Sequence, residues 1–376
     1  MRQEPRPTTP HPRGLLLRGV TPTTRLLLLC AAVAVGLAAA AGAQSAQTRL
    51  ESPSLAEIAN GAAAIPDAAP VTGSQRALPV PGTYWGGTFT ASTGESVTVY
   101  VSNSYPQDPA TGQRWADFLA GLLHGAELSS LATYFAPLDE VQRICGSGAL
   151  GCYSSVQQLL VAPGEDPAPD LSVEAVVTHE YGHHLAANRS NAPWAALDYG
   201  TKRWASYEQV CAKTRGHALF PGAEQPPLYR LNPGEAFAET YRVLNERRAG
   251  VAEATWAVVS QTLYPDATAL ALTEQDVTTP WKAQAATVRV GSVSKTRRVR
   301  TYSVATPLDG TFSLTLRPPT RARLALDVYS SAGRVAHAAG AKALSAAITV
   351  CGERSVRIRV SRIGGAGTFR LSVAPP

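Results

Sequence analysis

The stretch Ser172-Val-Glu-Ala-Val-Val-Thr-His179-Glu180-Tyr-Gly-His183-His-Leu-Ala-Ala187 decides how the rest of the chain is read. Ser172 is a good helix N-cap, and Glu174 puts a carboxylate in the first turn, where the helix dipole favours it. A helix over 172–187 is therefore expected, and on a helix positions i and i+4 share a face. His179 and His183 would then reach one metal ion together, with Glu180 beside them to serve as general base toward a water made acidic by that metal. The alternative is a pair of surface histidines on an amphipathic helix. Against it stands the apolar run Ala175-Val176-Val177, which marks the helix as buried. Two histidines and a glutamate buried without a metal would be costly to satisfy. His184 points about 100° away from His183 around the helix and is expected behind the ligands or at the surface. Gly182 is expected to let a neighbouring element come close.

A catalytic zinc takes three protein ligands and keeps one position open. The positions that would supply a third histidine in the metzincin pattern hold Ala186 and Arg189, which excludes that class. Asp198, in Leu197-Asp198-Tyr199-Gly200, is one acidic candidate. The stronger segment is Asn232-Pro-Gly-Glu235-Ala-Phe-Ala-Glu239. Asn232 as N-cap and Pro233 at the first helical position start a helix that runs to about Arg247. Glu235 and Glu239 then share a face. One carboxylate would bind zinc while the other accepts the free ring N–H of His179 and fixes its tautomer. Glu235 also stands where a capping-box carboxylate would, in which case Glu239 is the ligand. Glu235 is preferred, then Glu239, then Asp198. Together, His179-Glu180-x-x-His183 and Glu235-Ala-Phe-Ala-Glu239 resemble the gluzincin metallopeptidases over about residues 83–247. The resemblance implies a zincin fold with a mixed sheet, the motif helix below it and a mostly helical lower part. It also implies His179, His183 and Glu235 as zinc ligands, Glu180 as catalytic base and Glu239 behind His179. The strand before the motif helix, here 155–161, would be the sheet edge that pairs with extended substrate. Tyr207, His217, Tyr229 and Tyr241 are candidates for the oxyanion donor. The 52 residues from His183 to Glu235 exceed the family's usual gap and stay unassigned.

The N-terminus reads as an export signal: five arginines precede the uncharged run 26–43, which ends in Ala41-Gly42-Ala43. Residues 1–43 are therefore expected to be a signal peptide rather than a lasting membrane anchor, and residues 44–80, rich in Ala, Ser and Pro, a linker or short propeptide. Cleavage would leave Cys145, Cys152, Cys211 and Cys351. An even count in an exported chain suggests two disulfides; three connectivities are open, and the preferred one closes Cys145–Cys152 locally and leaves Cys211–Cys351 as a link between domains. No CxxC pair is present, so zinc binding by cysteine is disfavoured.

Residues 284–376 have another texture. Alternating segments recur at 287–293, 298–304, 311–316, 323–329, 348–350, 355–360 and 368–373, which is the pattern of a small β-sandwich. Leu324-Ala-Leu-Asp-Val-Tyr329 with Gly333-Arg-Val-Ala336, then Val356-Arg-Ile-Arg-Val360 with Gly367-Thr-Phe-Arg-Leu371, resemble the bacterial pre-peptidase C-terminal domain. The formal net charge of +6 divides into +4 for 1–43, −10 for 44–283 and +12 for 284–376. Such asymmetry points to an anionic partner for the tail, or to the tail facing its own acidic middle.

The expected architecture is α+β: a zincin-like metallopeptidase domain over 81–283, then a pre-peptidase C-terminal-like sandwich over 284–376. The expected activity is a secreted or extracytoplasmic Zn2+-dependent metalloendopeptidase acting on peptide or protein substrates. An anionic cell-surface polymer is the second expected partner, with no nucleic acid and no stable membrane anchor after signal cleavage. The rival reading is an exported zincin scaffold that binds without turnover, held to an anionic surface by its basic β-domain.

Overall fold

The computed structural model describes residues 77–80 and 82–376. The readings placed on 1–43 and on most of 44–80 lie outside the described residues. Among those described, no helix is long and apolar enough to cross a membrane.

The first sheet contains β1 (Tyr84–Thr90), β2 (Ser96–Ser102), β3 (Ala132–Ala136), β4 (Cys152–Ser154) and β5 (Leu159–Pro163), in the order β1-β2-β3-β5-β4. β2, β3 and β5 run parallel, with β1 and β4 antiparallel at the two ends. Alternation in β2 buries Val97, Val99 and Val101 on one face. Against that face pack α1 (Pro109–Gly121), through Trp115 and Leu119, and the motif helix α3 (Val173–Ala187), through Val176, Val177 and Tyr181. The other face is covered by α2 (Leu138–Cys145), whose Val141 and Ile144 meet Tyr134, Val161 and Leu78.

Residues 155–161 do not form one strand. The chain makes a hairpin in which Gln158 turns with φ 53°, so β5 lies inside the sheet and β4 is the terminal strand. The motif helix begins where its cap placed it, with Ser172 Oγ accepting from Ala175 N–H at 3.1 Å.

The segment after the motif helix holds a short hairpin, β6 (Ser190–Asn191) and β7 (Trp194–Ala195), and the helices α4 (Ala196–Tyr199), α5 (Lys202–Tyr207) and α6 (Val210–Arg215). Then comes α7 (Pro233–Ala249), whose Asn232 Oδ1 accepts from Gly234 N–H at 2.9 Å and which ends at Gly250 in the left-handed region. Residues 251–263 are largely irregular, and the next helix is α8 (Ala267–Thr278), capped by Asp266.

The C-terminal strands are β8 (Thr287–Val293), β9 (Val299–Ala305), β10 (Gly310–Arg317), β11 (Arg323–Ser330), β12 (Gly333–Gly340), β13 (Leu344–Val350), β14 (Ser355–Gly364) and β15 (Gly367–Ala374). They form two antiparallel four-stranded sheets, ordered β13-β10-β15-β8 and β12-β11-β14-β9. Inward side chains such as Phe312, Leu316, Leu326, Ile358 and Phe369 make one sandwich-like core. β12 has the composition Gly-Arg-Val-Ala-His-Ala-Ala-Gly, too poor in β-branched residues to read as a strand by itself; pairing with β11 along its length makes it one.

Both expected disulfides are present, Cys145–Cys152 and Cys211–Cys351. The first ties α2 to the start of β4. The second joins α6 to the turn after β13. Beside it Asp309 N–H donates to Ser206 Oγ at 2.9 Å, and Arg354 bonds both Asp309 Oδ1 and the Ser206 carbonyl.

Candidate functional site

Helices α3 and α7 are brought together by Gly182. A Cβ at that position would stand 2.7 Å from the Ala238 Cα, so only glycine permits this approach. The contact sets Glu235 and Glu239 of α7 opposite His179 and His183 of α3. His179 Nε2 and His183 Nε2 lie 3.2 Å apart, and Glu235 Oε2 is 3.2 Å from the first and 3.3 Å from the second. Among the described residues, His179, His183 and Glu235 form a three-residue group able to hold a metal ion. A tetrahedral zinc at about 2.0–2.1 Å from each donor would need donors roughly 3.3–3.4 Å apart, close to the triangle observed. Two imidazoles and one carboxylate are also a donor set suited to zinc.

Behind this triangle, His179 Nδ1 donates to Glu239 Oε1 at 2.8 Å, which leaves Nε2 facing the cluster. Glu239 is itself held by Arg242, whose Nη2 donates to Oε2 at 2.6 Å, and Arg242 reaches Glu246 as well. Of the three carboxylates weighed for the third ligand, Glu235 is therefore the one in the triangle and Glu239 the one behind the ring.

Burial raises the Glu239 carboxyl, but the bonds from His179 and Arg242 outweigh it and hold the group down at about 2. Glu235 follows the same pattern: burial raises it, and the His183 charge and the two imidazole bonds bring it well below the usual carboxylate range. Burial works against the His179 imidazolium, yet its bonds to Glu235 and Glu239 raise it to about 10.

Glu180 differs. Burial pushes its carboxyl up, and the neighbouring histidines only partly oppose that. Its Oε1 lies against Gly151, where a Cβ would come within 3.0 Å, so Glu180 stands on the β4 side of the cluster.

Of the four residues considered for an oxyanion donor, Tyr229 alone reaches the triangle, donating from its hydroxyl to Glu235 Oε2 at 2.8 Å. Tyr207 bonds Asp266, Tyr241 bonds the Leu123 carbonyl, and His217 is exposed. Asp198 lies near enough to His183 to feel its charge but outside the triangle. His184 is fully buried, between the Tyr153 hydroxyl and the Glu127 carbonyl, and pins α3 to the sheet.

Sequence reasoning passed over Arg242 and Glu127. The spacing Glu239-Arg242-Glu246 would have signalled a helical ion-pair ladder. Glu127, buried and paired with Arg189 at 2.9 Å, had no local signal.

No protein-family model matches the chain, and no curated protein matches it. Among solved structures, the chain is similar in part to the pre-peptidase C-terminal domain of a collagenase from Bacillus anthracis. Identity is 16%, over 24% of this chain and 89% of that one, with a TM-score of 0.21. It is also similar to a mitogen from Yersinia pseudotuberculosis, at 10% identity, over 25% and 88% of the two chains, with a TM-score of 0.22. Likenesses this weak assign no function to the residues above.

Proposed function

We propose that this chain is an exported zinc-dependent endopeptidase with a zincin-like catalytic part over 81–283 and a pre-peptidase C-terminal-like sandwich over 284–376. The observation that supports it is the near-equilateral triangle of His179 Nε2, His183 Nε2 and Glu235 Oε2, backed by Glu239 on the far nitrogen of His179. Zinc, when bound, supplies Lewis acidity toward a carbonyl oxygen and lowers the pKa of a water beside Glu180.

The chain's own residues do the rest. Glu239 keeps the His179 proton on Nδ1, so that Nε2 stays a lone-pair donor. Glu180, whose buried carboxyl holds a proton more readily than an exposed one, takes a proton from the attacking water and later passes it to the departing amine. The Tyr229 hydroxyl is the donor nearest the ligands and turns toward the oxygen on which charge develops. β4, terminal in its sheet and touching Glu180 through Gly151, is the strand along which an extended peptide lies. This differs from the expected strand, 155–161, because the hairpin puts β5 inside. The two disulfides support an oxidising compartment.

The test is zinc content and cleavage of an unfolded protein by the full chain, beside Glu180→Gln and Glu235→Gln. Glu180→Gln should keep about one zinc per chain and lose about 10²–10⁴-fold in rate. Glu235→Gln should lose the metal. A wild type that binds no zinc ends the proposal. A wild type that binds zinc and cleaves nothing replaces it with a binding scaffold.

A further inference from the structure

The strand order places four connections at one end of the sandwich: 294–298, 318–322, 341–343 and 365–366. Three of them, 294–298, 318–322 and 365–366, are joined through the ends of β14 and β15. Arg362 N–H donates to the Arg298 carbonyl at 2.8 Å, Arg323 pairs with Gly364, and Gly365 and Gly367 pack on Arg321 and Pro319. The opposite end carries Asp309, Cys351 and Arg354, the groups fastened to α5 and α6. The first end is therefore the one turned away from the metal-binding cluster.

The charges divide along the same axis. Arg297, Arg298, Arg321, Arg323, Lys342 and Arg362 all stand at the far end, with Lys295 in the first of its loops. All but Arg362 are exposed. The sandwich has only three acidic residues, and each is engaged elsewhere: Asp309 with Arg354, Asp327 with Arg334 and His337, and Glu353 with the Cys351 N–H. On the neighbouring sheet face Arg317 and Arg370 stand directly opposite across β10 and β15, an arrangement of like charges that costs stability unless an anion lies between or near them.

We infer that this end of the sandwich is the docking surface for a linear phosphate-bearing polymer without nucleobases. Arginine forks match phosphate oxygens in pairs, and arginines outnumber lysines here. The positive groups come from separate turns spread across the whole end, which suits an extended polyanion better than one small ion. A bilayer surface is disfavoured because the connecting loops carry no aromatic or leucine side chain, and the exposed apolar residues beside them, Val299 and Ile363, are only two against seven basic groups. Single-stranded nucleic acid is disfavoured because the same loops offer no aromatic platform for bases. The inference concerns attachment and does not depend on the metal.

The experiment measures binding of the full chain, in the Glu180→Gln background, to long-chain inorganic polyphosphate over a range of salt. Vesicles containing phosphatidylglycerol and single-stranded DNA are run as competing probes. Arg297→Glu/Arg323→Glu/Lys342→Glu is compared with Arg114→Glu/Arg143→Glu/Arg215→Glu, which makes the same charge change outside the sandwich. The first variant should lose tenfold or more in affinity, with its log–log salt slope shallower by about two. The second should stay within about threefold of the parent. Thermal unfolding confirms that both are folded; if the first is not, the single changes Arg297→Gln and Lys342→Gln replace it and should each weaken binding. Equal loss in both variants overturns the proposal, as does absence of polyphosphate binding at physiological salt. Tighter binding to vesicles or to DNA overturns it in favour of that surface.

Discussion

Glu239 shows how much of a site can rest on a residue that touches no ligand. Its carboxylate accepts from His179 Nδ1 and is anchored on Arg242, which is buried beside it. Without that acceptor, the His179 proton is free to move to Nε2, the atom that faces His183 and Glu235. Glu239→Gln keeps the volume and removes the charge. Zinc affinity, measured by competition with a chelator, should fall by about 10–100-fold while the fold persists. Unchanged affinity would mean that packing alone orients the ring. The same residue explains why the choice between Glu235 and Glu239 stood open in the sequence. Both lie on one face of α7, and only the position of α3 decides which carboxylate enters the triangle.

Gly182 carries the contact between helices α3 and α7. An alanine there would gain about 1 kcal/mol of helix propensity. Against that, its Cβ would press on the Ala238 Cα from 2.7 Å, and backbone cannot swing aside as a side chain does. Overpacking of this kind costs about 1–3 kcal/mol, so Gly182→Ala should lower the urea midpoint and weaken zinc binding together. A stabilised variant with full zinc affinity would show that the helices can separate without harm to the cluster. Other elements were legible to different degrees. α3 and α7 announced themselves through Ser172, Asn232 and Pro233, because caps act locally. The turn at 155–158 did not, because Ser-Val-Gln-Gln has no glycine or proline to mark it and Gln158 is held at positive φ by the hairpin itself. The irregular 251–263 stretch has helix-compatible residues but is organised by contacts outside it, among them Arg247 with Glu253 and Tyr264.

Across the whole molecule, the sandwich is fastened to the helical part by a disulfide and by buried polar groups. Closing a loop of 140 residues in the unfolded chain is worth about 5 kcal/mol in the chain-entropy picture, more than most single contacts can supply. Lys202 sits in this region, fully buried, with Nζ on the Ala192 carbonyl at 2.7 Å and over the Trp281 ring at 4.6 Å. Burial lowers it from 10.5 to about 8, although Asp309 and Asp276 partly oppose this. Between those two values the unfolded chain holds the proton more firmly than the folded one. Folding therefore gains from this lysine as pH rises through that window, and below it the buried charge costs stability. The gain should be absent from Lys202→Met. The stability difference between wild type and variant, followed by urea unfolding on both sides of the window, should shift in favour of the wild type as pH rises. A difference that does not move with pH would place the ammonium in contact with solvent.

The sequence by itself placed His179 and His183 on one helical face, marked the two helices that carry the cluster, offered the four cysteines as two disulfides, and gave the β-rich, basic character of the C-terminal part. These follow from spacing, caps and composition, which act over a few residues or over bulk charge. Only the tertiary structure decided that Glu235 completes the triangle, that Tyr229 rather than three other candidates stands beside it, that β4 is the terminal strand, and that basic side chains gather at the sandwich end opposite the one fastened to α5 and α6. Each of those depends on which distant segments meet, and chain order leaves that open until the core and the strand pairing close it.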